Sequence, residues 1–171
     1  MPYLVAAIVL LGVLCMVNLL FTLGILRRQR TQATWTPNPM FALSPGSTVG
    51  EFSATTTTGE AVSSDSLADL VGFFSAGCEA CHEVLPHFTE RATQMPHGSV
   101  LAVVGGDDEE TVRALTPVAR VVVADIDGGP VARAFQNKWT PALYLLDDNH
   151  RVISAGARME ELLTHAVGAE Q

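Results

Sequence analysis

An apolar run, Val71-Gly72-Phe73-Phe74-Ser75-Ala76, ends at Gly77 and leads at once into Cys78-Glu79-Ala80-Cys81. Beyond the second cysteine, Val84, Leu85, Phe88, Ala92 and Met95 recur at helical spacing. A largely apolar run of six residues has the length of a buried strand, and the spacing after it predicts a helix over Glu83 to Gln94. A strand that turns directly into a helix confines the chain to folds in which the two alternate.

The remaining sequence from Ser47 onward keeps that alternation. Val49 to Thr58 reads as a β-rich opening closed by a turn at Gly59-Glu60, and Ser64 to Leu70 as a short helix or turn. Val100 to Val104 and Val121 to Ala124 are further apolar strands, with a helix predicted between them over Asp107 to Leu115. Acids in that helix's first turn suit the positive end of its dipole. A short helix over Pro130 to Gln136 precedes strands at Ala142–Leu146 and Val152–Ala155, joined by a hairpin turn at Asp147 to His150. Met159 to Val167 would be the closing helix. Strands alternating with helices, then a late hairpin, imply an α/β sandwich with helices on both faces of a mixed sheet.

The first 46 residues are of another kind. From Tyr3 to Leu26 no side chain is charged. As a helix this segment would be roughly 36 Å long, against about 30 Å of bilayer hydrocarbon. It lacks the positive start and small-residue cleavage site of a secretory signal. Residues 3–26 are therefore expected to be one N-terminal transmembrane helix in contact with membrane lipid. Residues 27–46, polar and punctuated by Pro37, Pro39 and Pro45, are expected as a linker to a domain over 47–171. All 18 acidic residues lie from Glu51 onward with only seven of the ten basic ones, a balance of −11 for that part. Such a surface repels nucleic acid, and no basic patch argues otherwise.

Cys15 lies in the apolar run and reads as a small apolar residue. That leaves Cys78 and Cys81 as the single pair in the soluble region. One C-x-x-C cannot make a four-cysteine zinc site, and it closes too short a loop to be a structural staple. At a helix N-terminus, free backbone N–H groups and the helix dipole favour a thiolate, the reactive form of cysteine. Lowering a thiol pKa from about 8.5 to about 7 takes only ~2 kcal/mol. Cys78, nearer the exposed helix end, is assigned as nucleophile and Cys81 as resolving thiol. Glu79 between them opposes ionisation of Cys78 and favours a reductant-leaning couple. His82, directly after the pair, is a candidate proton relay whose plainer reading is an exposed helix residue.

The segment Val71 to Pro86 resembles the active-site segment of the thioredoxin superfamily, and within it the membrane-anchored TlpA-like thiol–disulfide oxidoreductases, including methylamine-utilisation relatives. Pro86 matches the proline that kinks that family's active-site helix. Thr140-Pro141, ahead of the apolar strand Ala142 to Leu146, matches its cis-proline loop. The resemblance covers roughly Ser47 to Val167. It implies a thioredoxin-like fold and a protein-disulfide reductase type of activity, with Thr140 and Pro141 offering backbone to the partner. The implied partners are protein thiols or disulfides and a membrane or soluble electron donor. No cofactor beyond the Cys78–Cys81 disulfide, and no metal, is expected. Two departures stand out. Gly77 replaces the usual tryptophan before the first cysteine, and Gly72 and Val84 occupy the positions where a buried acid would be sought. Glu83 and His82 are the substitutes on offer for proton transfer.

Other readings share parts of the motif. Cys78-Glu79-Ala80-Cys81-His82 also satisfies the C-x-x-C-H signature of c-type haem attachment. A haem domain of that kind is usually small and helical, whereas several strands follow the motif here. Ser75, three residues before Cys78, admits a peroxiredoxin-like peroxidase, although the proline expected ahead of that motif is missing. A thioredoxin-like binding module without catalysis would survive loss of Cys78. As to membrane side, Arg27, Arg28 and Arg30 after the apolar run predict a cytoplasmic domain by the positive-inside tendency. The resemblance implies an extracytoplasmic one. Both stay open at this point.

Overall fold

The computed structural model describes Gly12, Leu14, Met16 and residues 43–162. The chain divides into two units, Met1–Pro37 and Asn38–Gln171, and the fold set out here is that of the second. The transmembrane helix expected over 3–26 (those three residues apart), most of the 27–46 linker, and the end of the closing helix lie outside the described residues. Among the described residues, no helix is long and apolar enough to cross a membrane.

Leu43 is buried in the domain core, and the Gly46 N–H donates to the Val152 carbonyl at 2.7 Å. The last residues of the stretch expected as a linker therefore pack onto the domain, because an apolar side chain and a backbone donor both find partners there.

A short antiparallel hairpin, β1 (Ser53–Thr55) with β2 (Ala61–Ser63), opens the domain. Five strands then form the main sheet: β3 (Leu70–Ser75), β4 (Val100–Gly105), β5 (Arg120–Ala124), β6 (Ala142–Leu146) and β7 (Val152–Gly156). Their order is β5-β4-β3-β6-β7, with β3–β5 parallel and β6 and β7 each antiparallel to its neighbour. The crossovers are α1 (Glu79–Thr93) and α2 (Glu109–Leu115); α3 (Gly129–Ala134) leads from β5 toward β6. A further helix starts at Met159. The mixed sheet and flanking helices expected from the alternation are present.

Alternate residues of the central strand β3 face opposite cores. Val71 and Phe73 pack with Val131, Phe135 and Tyr144 on one side. Leu70 and Phe74 pack with Val84, Phe88, Leu115 and Leu162 on the other. Both faces of β3 are sealed, which is why it reads as a continuous apolar run and not an alternating one. Gly72 is required by packing: a Cβ there would lie 2.7 Å from the Phe88 ring and 2.8 Å from the Phe74 ring. Those rings meet edge-to-face, with centroids 5.2 Å apart.

Helix starts differ slightly from the apolar spacing because caps, not core contacts, set them. Asp108 caps α2, accepting from the Thr111 N–H at 3.0 Å and the Thr111 hydroxyl at 2.7 Å. Helix α1 begins at Glu79, ahead of its first core contact, because Cys78 serves as its cap.

Candidate active site

Strand β3 ends at Ser75 in the middle of the sheet, and the chain must turn sharply to enter α1. Gly77 takes φ +72, a left-handed conformation that costs a side-chain-bearing residue free energy. No atom lies near the place its Cβ would occupy, so conformation and not crowding selects glycine. The Cys78 N–H returns to the Ser75 carbonyl at 3.3 Å and closes the turn.

Cys78 and Cys81 are joined in a disulfide, with Cα atoms 5.2 Å apart. Cys78 is half-buried, whereas Cys81 is 5% exposed and packs into the core under α1. The Cys81 N–H donates to Cys78 Sγ at 3.1 Å. The same N–H also donates to the Cys78 carbonyl at 3.0 Å, so it is a shared donor at the helix start beside the outer sulfur. The geometry thus separates the two cysteines, one outer with an N–H donor on its sulfur, the other sheltered.

The Thr140-Pro141 peptide bond is cis, as the resemblance implies. Ala142 is registered against Phe73, so the loop before β6 lies at the same sheet end as the cysteine turn. The Ser75 and Thr140 hydroxyls are 2.6 Å apart and join the two segments directly. Behind the loop, the buried Asn137 side chain donates to the Trp139 carbonyl at 2.8 Å and accepts from the Tyr144 hydroxyl at 3.2 Å. Burial pushes the Tyr144 phenol well above its ordinary pKa, so it remains a donor at any ordinary pH.

The two proton-relay candidates, consecutive in α1, point to different neighbours. Glu83 lines a cleft of about 250 Å³ together with Ala80, Trp139, Thr140, Pro141 and Arg158. His82 is exposed and lies near Asp108 at the start of α2. The Asp108 carboxyl is held below the usual carboxylate range chiefly by the Thr111 N–H; burial opposes this, and the Thr111 hydroxyl and the charge of His82 add to it. Neither position at which a buried acid would be sought has room for a replacement among the described residues. The space at Gly72 is filled by two phenylalanine rings, and Val84 is buried among apolar residues.

Three residues that the sequence did not single out border this region: Asn137, Trp139 and Ile126. Trp139 is 55% exposed and Ile126 is 66% exposed. A tryptophan between the polar stretch Gln136-Asn137-Lys138 and Thr140-Pro141 is a visible signal, but nothing in spacing says that its ring stays in solvent. Among the described residues, no group of three potential metal ligands occurs.

No family model matches the sequence, and no curated protein matches it. Solved structures do. The thioredoxin domain of a thiol-disulfide oxidoreductase from Bacteroides vulgatus matches at 20% identity and a TM-score of 0.55, covering 75% of this chain and 97% of that one. A thio-disulfide isomerase from Thermus thermophilus matches at 20% identity and a TM-score of 0.57, covering 74% and 96%. A thiol:disulfide interchange protein from a Bacteroides species matches at 18% identity and a TM-score of 0.54, covering 75% and 90%. The domain has the thioredoxin-like fold, with a C-x-x-C disulfide between its central strand and first helix.

Proposed function

We propose that this chain is a membrane-tethered thiol–disulfide oxidoreductase that exchanges disulfides with partner proteins through Cys78 and Cys81. The observation that carries the reading is the outer, N-capping Cys78 sulfur with an N–H donor on it and a sheltered cysteine bonded behind it. In the reductive direction, the Cys78 thiolate attacks one sulfur of a partner disulfide. A mixed disulfide forms and the partner's other sulfur leaves as a thiolate, which takes a proton. The Cys81 thiol, losing its proton, then attacks Cys78 Sγ and releases the partner's second thiolate. Two electrons pass to the partner, and the Cys78–Cys81 disulfide remains until an external dithiol reduces it.

Glu79 supports the reductant-leaning direction. Its charge in the first turn of α1, beside Cys78, works against the thiolate and hence against a strongly oxidising couple. A measured potential close to −120 mV, the strongly oxidising end of the range, would overturn that direction. Glu83 is the better placed of the two relay candidates, since it borders the cleft at Thr140 and Pro141 while His82 lies near Asp108. The same placement weakens the haem-attachment reading, in which His82 would serve as an iron ligand. The tether rests on the uncharged run Tyr3 to Leu26. An impermeant thiol label applied to intact cells decides which side the domain occupies.

Trapping is the direct test. Cys81→Ser leaves the mixed disulfide without a resolving thiol and should accumulate partner proteins covalently on Cys78. Cys78→Ser should accumulate none. Equal capture by Cys78→Ser and Cys81→Ser would remove the assignment.

A further inference from the structure

A second cavity, of about 510 Å³, lies on the far side of the Thr140 loop from the Glu83 cleft. Phe73 and Phe74, from the strand that ends in the cysteine turn, border it together with the exposed Trp139 and Ile126. The Ile126 side chain lies against Gly106, as does Ala76, two residues before Cys78. The groove therefore runs from the base of the cysteine turn to the Thr140 loop, and its size suits a few side chains.

Its charge differs from that of the rest of the domain. Arg133 and Lys138 line it, both exposed and neither in an ion pair among the described residues. Asp127 is the single acid on the lining, and its Oδ1 already accepts from the Gly129 N–H at 2.9 Å. From Glu51 onward the chain has 18 acidic residues and seven basic ones, so a locally cationic groove beside the disulfide goes against the overall balance.

Resting on the function proposed above, we infer that this groove docks the partner polypeptide beside its disulfide and selects segments with a bulky apolar side chain next to an acidic one. The apolar side chain would pack between Ile126 and Trp139, and the acid would meet Arg133 and Lys138. Trp139 would then supply, from the loop side, an aromatic contact that Gly77 cannot supply from the cysteine side.

The test uses the full chain in detergent micelles, reduced with excess dithiol and freed of it. Two synthetic peptides are compared, each closed by one disulfide and identical except for Phe-Glu or Phe-Lys beside one cysteine. Rates of oxidation of the protein are divided by the rate of the same variant with 2-hydroxyethyl disulfide, which is too small to span the groove. The expected result is a preference of about tenfold for the Phe-Glu peptide, declining as salt is raised. Arg133→Glu combined with Lys138→Glu should abolish or reverse it, Ile126→Ser should slow both peptides, and Arg113→Glu, in an exposed pair elsewhere, should leave it intact. Equal rates for the two peptides, or a preference that survives the double reversal, would overturn the proposal. So would loss of self-association in Ile126→Ser with unchanged peptide rates, which would give the groove to a second copy of the chain. No reaction even with 2-hydroxyethyl disulfide would instead remove the exchange activity itself, an outcome distinct from normal exchange without selection.

Discussion

The two segments that meet at the disulfide are held by different means. The cysteine turn, from Leu70 to Thr93, is a strand, a left-handed glycine and a capped helix that follow one another in the chain. Its hydrogen bonds are short in sequence, Cys78 to Ser75 and Cys81 to Cys78. The loop from Asn137 to Pro141 has no regular structure of its own and takes its shape from elsewhere. Ser75 reaches it across 65 residues, and the Tyr144–Asn137 pair fastens it from below. One half of the site is assembled by local rules, the other by tertiary contacts. Damage to the first should therefore appear mainly in stability, and damage to the second in the encounter with a partner.

The strongest challenge to that contrast is at the base of the cysteine turn. Phe88→Ala removes the ring that packs on Phe74 and should cost about 3–5 kcal/mol by denaturant unfolding. Cys78 would react normally in the molecules that remain folded. A loss below about 1 kcal/mol would mean that the helix is not anchored as described. On the loop side, Asn137→Ala removes the acceptor of the Tyr144 hydroxyl and the donor to the Trp139 carbonyl, and should cost about 1–3 kcal/mol. Its distinguishing sign is a rise in KM for protein disulfides larger than any fall in kcat, since the loop is displaced while the cysteines are not.

A finer comparison is Ser75→Ala against Ser75→Thr. Loss of the hydroxyl link to Thr140 should cost about 1 kcal/mol or less and weaken partner trapping, and threonine should restore the trapping. Failure of threonine to rescue would detach the hydroxyl from the loop's function. The smallest effect belongs to Asp108, which is on neither segment. Its folded pKa is depressed below 3.8, so its stabilisation is complete above that value and is lost as pH falls through the lower folded value. Asp108→Asn should lose only this pH-dependent part, while Asp108→Ala should also lose the cap, about 1 kcal/mol. A difference between native chain and Asp108→Asn that grows above pH 5 would contradict the sign.

Much of this molecule is legible in order along the chain. The run from Val71 to Ala76 reads as a buried strand because both its faces are sealed, and the helix after it reads from Val84, Leu85 and Phe88. The strand at Val100 is readable for the same reason, those at Val121, Ala142 and Val152 from their apolar content, and the turn at Asp147 to His150 from its polar residues. Element ends were less legible, since capping atoms such as Asp108 Oδ1 and Cys78 Sγ set them, and capping depends on a few hydrogen bonds that periodicity does not register. Asn137 reads as an ordinary polar loop residue and is in fact the buried clamp of the Trp139 carbonyl, because its partner Tyr144 arrives only when β6 pairs with β3.

By itself the amino-acid order determined the strand-to-helix turn, the cysteine pair at its tip and the alternation around it, since these follow from local conformational preference and from which residues must leave water. Which groups face the disulfide was decided only by the sheet. Registering Ala142 against Phe73 sets Thr140 on Ser75, and packing α3 against β1 and β4 places Arg133, Lys138 and Ile126 on one groove. Contacts between residues that distant in the chain come from strand pairing and core packing, and no local pattern encodes them.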